Sequence, residues 1–186
     1  MRIITGTAKG LNLKTPKGFE TRPTADRVKE SVFHILNGLI DFSEVDAVLD
    51  IFAGTGALGI ESLSRGAVSA TFIDFATADI ISENLQRAKF QNAKILRDDF
   101  SKSLKKLSKQ NLQFDLIFSD PPYKKNLAVA SINLVAELNL LSAEGLMVAE
   151  YGADEMLDCE SLNCIRKINY GNTTAINIYQ KKGSEL

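Results

Sequence analysis

Five short apolar runs alternate with four helix-compatible stretches through this chain, and that alternation limits the fold more than any other feature. The runs are Ala47-Val48-Leu49-Asp50-Ile51, Ser69-Ala70-Thr71-Phe72-Ile73-Asp74, Ala93-Lys94-Ile95-Leu96, Phe114-Asp115-Leu116-Ile117-Phe118 and Leu146-Met147-Val148-Ala149-Glu150. Between them lie residues 57–64, 78–90, 102–108 and 129–138. Such an alternation of strand and helix signals argues for a parallel sheet covered on both faces. The end of the chain differs. Residues 165–170 and 175–180 alternate about Gly171-Asn172, which predicts a closing antiparallel hairpin. The expected class is therefore α/β, mostly parallel, with an antiparallel pair at the end.

The first forty residues stand apart. Arg2-Ile3-Ile4-Thr5 and Leu11-Asn12-Leu13-Lys14, punctuated by Gly6 and Gly10, predict a hairpin. Pro23 biases Arg22 away from helix, and Thr24 is placed to cap the helix that follows. On that helix Val28, Val32, Ile35, Leu36 and Leu39 recur at helical spacing. His34, the single histidine, is read as a structural helix residue. Residues 1–34 carry seven basic side chains against three acids, although the chain as a whole is net −1. A basic arm on a mildly acidic body points to a polyanion contact confined to the arm. The expected organisation is a basic hairpin-helix extension over 1–40 and one compact catalytic domain over 41–186. At 186 residues and 45% hydrophobic the chain can bury a core. It has no run of apolar residues long enough to span a membrane and no signal-peptide pattern at Met1, so a cytoplasmic location is expected. Cys159 and Cys164 read as free thiols, and no His/Cys cluster suggests a metal.

Asp50-Ile51-Phe52-Ala53-Gly54-Thr55-Gly56-Ala57-Leu58-Gly59 follows a strand and opens a helix. Gly54 and Gly56 let the backbone approach a ligand closely. Taken alone, the spacing Gly54-x-Gly56-x-x-Gly59 fits two ligands. A dinucleotide would set its pyrophosphate at the helix N-terminus and its ribose on Asp74. S-adenosylmethionine carries no phosphate, so Phe52, Ala53, Gly54, Thr55 and Gly56 would cup its methionine part while Asp74, with Phe75 beside it, meets the adenosine. Asp50 favours the second ligand: a carboxylate there pairs with an ammonium group and repels a pyrophosphate.

A second motif is more specific. Asp120-Pro121-Pro122-Tyr123 directly follows the fourth apolar run. In open α/β sheets ligands lie outside the carboxyl ends of the strands. An exocyclic base amine is a poor nucleophile, because its lone pair is delocalised into the ring. The Asp120 carboxylate and the Pro121 carbonyl can accept its two hydrogens, pyramidalise the nitrogen and stabilise the charge that develops on it. Pro121 and Pro122 stiffen the loop, and Tyr123 offers a face for an extruded base. Past the third run, Asp99 can accept from the adenine amino group with Phe100 packing on the ring; alternatively Asp99 or Ser101 is a helix N-cap.

Together these motifs resemble class I methyltransferases, with their Rossmann-like sheet. Arg2-Ile3-Ile4-Thr5-Gly6, Lys9-Gly10-Leu11-Asn12-Leu13 and Arg22-Pro23-Thr24-Ala25-Asp26-Arg27-Val28-Lys29-Glu30 are similar to the opening of the bacterial RsmD family, and Ile178-Tyr179-Gln180 continues the match to the end. The resemblance implies methyl transfer to N2 of a guanine in 16S ribosomal RNA, within an assembled or partly assembled small subunit. It implies Asp50, Gly54, Gly56 and Asp74 on the cofactor, residues 120–123 on the amine, and Arg22, Thr24 and Arg27 near RNA. Asp74 is Glu in most of that family, and Phe75-Ala76 replace its next acid. Three rivals remain at this stage: an N6-adenine DNA methyltransferase, an NAD-dependent oxidoreductase, and a non-catalytic RNA-binding assembly factor.

Overall fold

A computed structural model describes residues 1–16, 23–122, 126–155 and 160–183, with the side chains of residues 23–25 left out. The chain divides into two compact units, Met1–Arg97 and Asp98–Leu186.

In the first unit three parallel strands, β1 (Ala47–Ile51), β2 (Ser69–Ile73) and β3 (Ala93–Leu96), lie in the order β3-β2-β1. The β1–β2 register sets Ile51 opposite Ile73, so both strands end at one level. β1 is buried at Val48, Leu49, Asp50 and Ile51, as a strand covered on both faces must be. Helix α1 spans Pro23–Leu36, α2 Ala57–Arg65 and α3 Ala78–Ala88; a short 3₁₀ turn over Phe42–Glu44 precedes β1.

Several boundaries depart from expectation. α1 starts at Pro23, so Thr24 lies inside the first turn rather than capping it. Proline is preorganised for the first helical position, where its missing N–H costs nothing. α3 stops at Ala88 because Lys89 turns left-handed at the C-cap. The predicted hairpin is reduced to a single bridge, Arg2 with Asn12, flanked by Ile3 N–H to Leu11 O and Leu13 N–H to Met1 O, each 3.0 Å. Ile4 and Thr5 leave the pairing because their amides donate to Glu61 of α2, at 2.8 and 3.1 Å.

The second unit holds α4 (Phe100–Ser108), β4 (Phe114–Ser119), α5 (Leu127–Glu137), β5 (Leu141–Gly152), β6 (Asn163–Tyr170) and β7 (Thr174–Gln180). Its strands order β4-β5-β7-β6; β4 and β5 are parallel, while β7 is antiparallel to β5 and β6. The closing hairpin is thus present, and β7 is buried along its whole length. β6 is the edge strand, and its exposed Arg166 and Lys167 discourage further pairing. β5 begins five residues before the expected run. Residues 142–145 form an irregularity between the pairs Phe114–Leu141 and Leu116–Leu146, and Ser142, Glu144 and Gly145 interrupt the apolar pattern there. α4 begins at Phe100, two residues early, because Asp99 caps it.

Candidate active site

The turn after β1 is built by backbone geometry. Gly54 and Gly56 have φ of 57° and 78°, and Phe52 has φ of 61°. For a bulky side chain that conformation is strained, a cost found mostly where a ligand or turn demands it. A Cβ on Gly54 would meet nothing nearer than 4.0 Å, so this face of the loop is open to a ligand. At Gly59 a Cβ would lie 2.4 Å from Phe72 Cε1: this glycine serves close packing of helix on strand. Ala53 N–H donates to Ile73 O at 3.1 Å, and Gly56 N–H closes on Ala53 O at 2.7 Å.

The acids around the loop hold it. Asp50 is only 1% exposed, and its Oδ2 accepts from Gly59 N–H at 2.9 Å. Burial pushes its carboxyl up to about 7, the Gly59 amide works against that rise, and the Asp74 charge adds to it. Asp74 follows β2 and spans the loop: Oδ2 accepts from Gly54 N–H at 2.9 Å, while Oδ1 accepts from Ala76 and Thr77 N–H at 2.8 and 2.9 Å. Phe75, next to it, is 75% exposed, an apolar ring standing in water at the end of β2.

Sequence reasoning missed two buried polar residues that organise this unit. Asn84 of α3 accepts from Lys14 N–H at 2.7 Å and donates to Lys14 O and to Thr55 O, both at 3.0 Å. Glu61 of α2 is fully buried and takes Lys29 Nζ at 3.3 Å and Arg65 Nε at 2.9 Å, beside the Ile4 and Thr5 amides. Burial lowers the Lys29 pKa, and Glu61 opposes the shift. The only available signal was a carboxylate and a carboxamide on helices next to apolar neighbours, which composition does not separate from a solvated face. A cleft of about 560 Å³ in the same unit is lined by Thr5, Gly6, Asn37, Ile40, Phe42 and Arg65 among others, none of them predicted site residues.

In the second unit Asp120 is exposed, Pro121 buried and Pro122 exposed, directly beyond the buried end of β4. Ser119 anchors that end: its hydroxyl is 2.7 Å from Ser131 Oγ, which donates to Ala128 O at 2.9 Å. Tyr123 lies outside the described residues, as do Arg22, Cys159 and the side chain of Thr24. Arg27 and His34 are exposed on α1. Asp99 Oδ1 caps α4, accepting from Ser101 N–H, Lys102 N–H and the Ser101 hydroxyl, and the last of these does most to hold its carboxyl low. Among the described residues no group of three or more His, Cys, Asp or Glu could hold a metal ion, and no helix is long and apolar enough to cross a membrane.

Comparison with known proteins covers the whole molecule. The family model described as conserved hypothetical protein 95 matches residues 1–180. The putative rRNA methyltransferase YlbH of Bacillus subtilis is 38% identical over 98% of this chain and 100% of its own length. Ribosomal RNA small subunit methyltransferase D of Escherichia coli K12 is 34% identical over 98% of this chain and 90% of its own. Among solved structures, the putative methyltransferase yhhF from Escherichia coli superposes with a TM-score of 0.85, at 31% identity and 99% coverage of both chains. The α/β fold is that of the class I methyltransferases.

Proposed function

The chain belongs to the conserved hypothetical protein 95 family, and on that premise we propose that it moves a methyl group from S-adenosylmethionine to N2 of a guanine in 16S ribosomal RNA. The observation that carries the reading is Asp120-Pro121-Pro122 at the carboxyl end of β4, continued in the sequence by Tyr123, in a chain 34% identical to an enzyme named for small-subunit rRNA methylation. The residues present fit the cofactor: an open Gly54 face, a buried acid at Asp50 and an exposed ring at Phe75.

S-adenosylmethionine supplies the electrophilic methyl carbon. Phe52, Ala53, Gly54, Thr55 and Gly56 shape the bed for its methionine part, and Asp50 provides the negative charge beneath it. Asp74 presents its remaining lone pairs to the ribose, Phe75 and Phe100 cover the adenine, and Asp99 accepts from the adenine amine through the oxygen not used in capping. Asp120 and the Pro121 carbonyl accept the two hydrogens of the guanine amine and so turn its lone pair outward. Pro122 fixes the loop and Tyr123 stacks on the base. Asp120 orients and stabilises; the amine releases its proton to solvent after transfer, so neither a metal nor a covalent enzyme intermediate is required. Arg22, Thr24 and Arg27 face RNA from the extension 1–40, beside a catalytic body over 41–186. The substrate is an assembled or partly assembled small subunit, and the enzyme works in the cytoplasm.

The test is transfer from labelled S-adenosylmethionine to small subunits from a strain lacking this gene, with naked 16S RNA and duplex DNA in parallel, followed by nucleoside analysis. N2-methylguanosine on subunits is expected. N6-methyladenine in DNA would overturn the substrate. Asp120→Ala is expected to reduce turnover by at least about 100-fold, in the range typical of lost transition-state hydrogen bonds, with cofactor affinity within about twofold.

A further inference from the structure

Outside the basic arm this chain is acidic on balance, yet α4 and its C-cap residue gather four lysines on one side. Lys102, Lys105, Lys106 and Lys109 follow the spacing i, i+3, i+4, i+7, which aligns them along a single helical face. All four are exposed, while Ser103, Leu104 and Leu107 on the opposite face are buried. No acid occurs within the helix. Among the described residues none of the four ammonium groups makes an ion pair, and Glu137, exposed on the neighbouring α5, does not compensate them. Lys102 helps hold the Asp99 carboxyl low, but that carboxylate is engaged in capping.

This arrangement is unfavourable for the helix itself. Lys102 with Lys106, and Lys105 with Lys109, are like-charge pairs one turn apart. Lys102 also stands in the first turn, at the positive end of the helix dipole. Solubility alone would be served by mixed charges.

We propose that this lysine face is a second RNA-contact surface, which grips the sugar-phosphate backbone of the ribosomal substrate away from the methylated base. The inference rests on the RNA reading above. The stripe extends about 10 Å along the helix axis, at 1.5 Å per residue. Compact ammonium groups on flexible stems suit phosphates as point charges without base preference. Protein partners fit less well, because protein interfaces are depleted in lysine and built on apolar or aromatic anchors, and the face carries neither. Its placement suits a long substrate. α4 ends beside α5, with Ser108 Oγ donating to Leu138 O at 3.1 Å, and β4 starts at the same end, with Phe114 N–H donating to Leu140 O at 2.8 Å. The lysines therefore run back along the unit toward the end of β4 that carries Asp120.

The experiment measures binding of the full chain to small subunits and to naked 16S RNA across a salt series. The comparison is wild type against a variant with Lys102→Gln, Lys105→Gln, Lys106→Gln and Lys109→Gln, and against the matching fourfold Lys→Arg variant. Each phosphate contact contributes about 0.7 to the slope of log K against log salt on single strands. The glutamine variant should lose about 2 to 3 from that slope on both RNAs and bind at least about tenfold more weakly at moderate salt. Its cofactor affinity and its turnover at saturating subunits should stay at wild-type levels, and the arginine variant should behave as wild type. The double variant Lys102→Gln with Lys106→Gln should lose about half as much slope. An unchanged slope, in an enzyme that methylates subunits, overturns the lysine face alone. Weakening on subunits with naked RNA unaffected also overturns it, since the contact would then be a ribosomal protein. If the wild type methylates no subunit, the function proposed above falls, whereas a slope loss on naked RNA would still uphold this surface.

Discussion

The carboxamide of Asn84 donates to the carbonyl of Thr55 at 3.0 Å, and so the middle of α3 supports the turn that carries Gly54 and Gly56. The same side chain closes a two-way pair with the backbone of Lys14. Replacing Asn84 by Ala leaves one amide and two carbonyls without their partner. At roughly 1–3 kcal/mol for a buried group left unsatisfied, we expect a loss of about 2–4 kcal/mol in urea unfolding. Cofactor affinity should fall together with stability, because arm and loop share the support. A variant with normal affinity would separate the two.

Glu61 gathers two cations and two amides in a buried position. Glu61→Ala strands Lys29, which is 3% exposed, and should cost about 3–5 kcal/mol. Lys29→Met combined with Glu61→Leu should be less destabilised than Glu61→Ala, since Arg65 loses its carboxylate in both variants but only Glu61→Ala also strands the buried Lys29 charge. Chemical denaturation of the three proteins decides it. A double variant worse than the single one would show that the backbone amides dominate.

Asp50 should make stability fall as pH rises. Its carboxyl sits at about 7 in the folded protein, against about 3.9 for an unperturbed aspartate. Between those values the folded state holds a proton that the unfolded state has released, so stability declines through the window and levels off above about pH 7. The total is on the order of a few kcal/mol. Subtracting the unfolding profile of Asp50→Asn from that of wild type isolates the effect; a flat difference would refute it. A cationic ligand stabilises the ionised form, so S-adenosylmethionine should bind more tightly at pH 8 than at pH 6 and release a proton on binding near neutrality. Calorimetry in two buffers of different ionisation enthalpy measures that proton.

Phe75 is exposed enough to be removed without harming the fold. Phe75→Ala should leave the melting temperature of the free protein unchanged, within the roughly ±0.5 kcal/mol typical of surface changes. It should weaken S-adenosylmethionine by about tenfold, as the loss of one aromatic stacking contact would. An unaltered dissociation constant removes Phe75 from the cofactor site.

The strand-helix alternation was legible because strands covered on both faces, such as β1 and β4, leave continuous apolar runs, and both begin where those runs begin. The loop residues were legible because Gly54 and Gly56 adopt positive φ, which few other residues tolerate. Three features were not. The early start of β5 was hidden because Ser142, Glu144 and Gly145 interrupt the apolar run that would mark it. The left-handed Phe52 cannot be seen in a residue type that avoids that region. Glu61 and Asn84 hold Ile4, Thr5 and Lys14 from 56 to 70 positions away, and no local pattern reports a partner at that distance.

That separation also orders events during synthesis. Residues 1–14 leave the ribosome before Glu61, Ser64 and Asn84, which hold them and follow 56 or more residues later. At about 5–20 residues per second the arm waits several seconds without its partners. Residues 1–14, though made before their partners, are thus among the last to settle in this unit, so an alteration within them acts on the closing step of its folding rather than on the start.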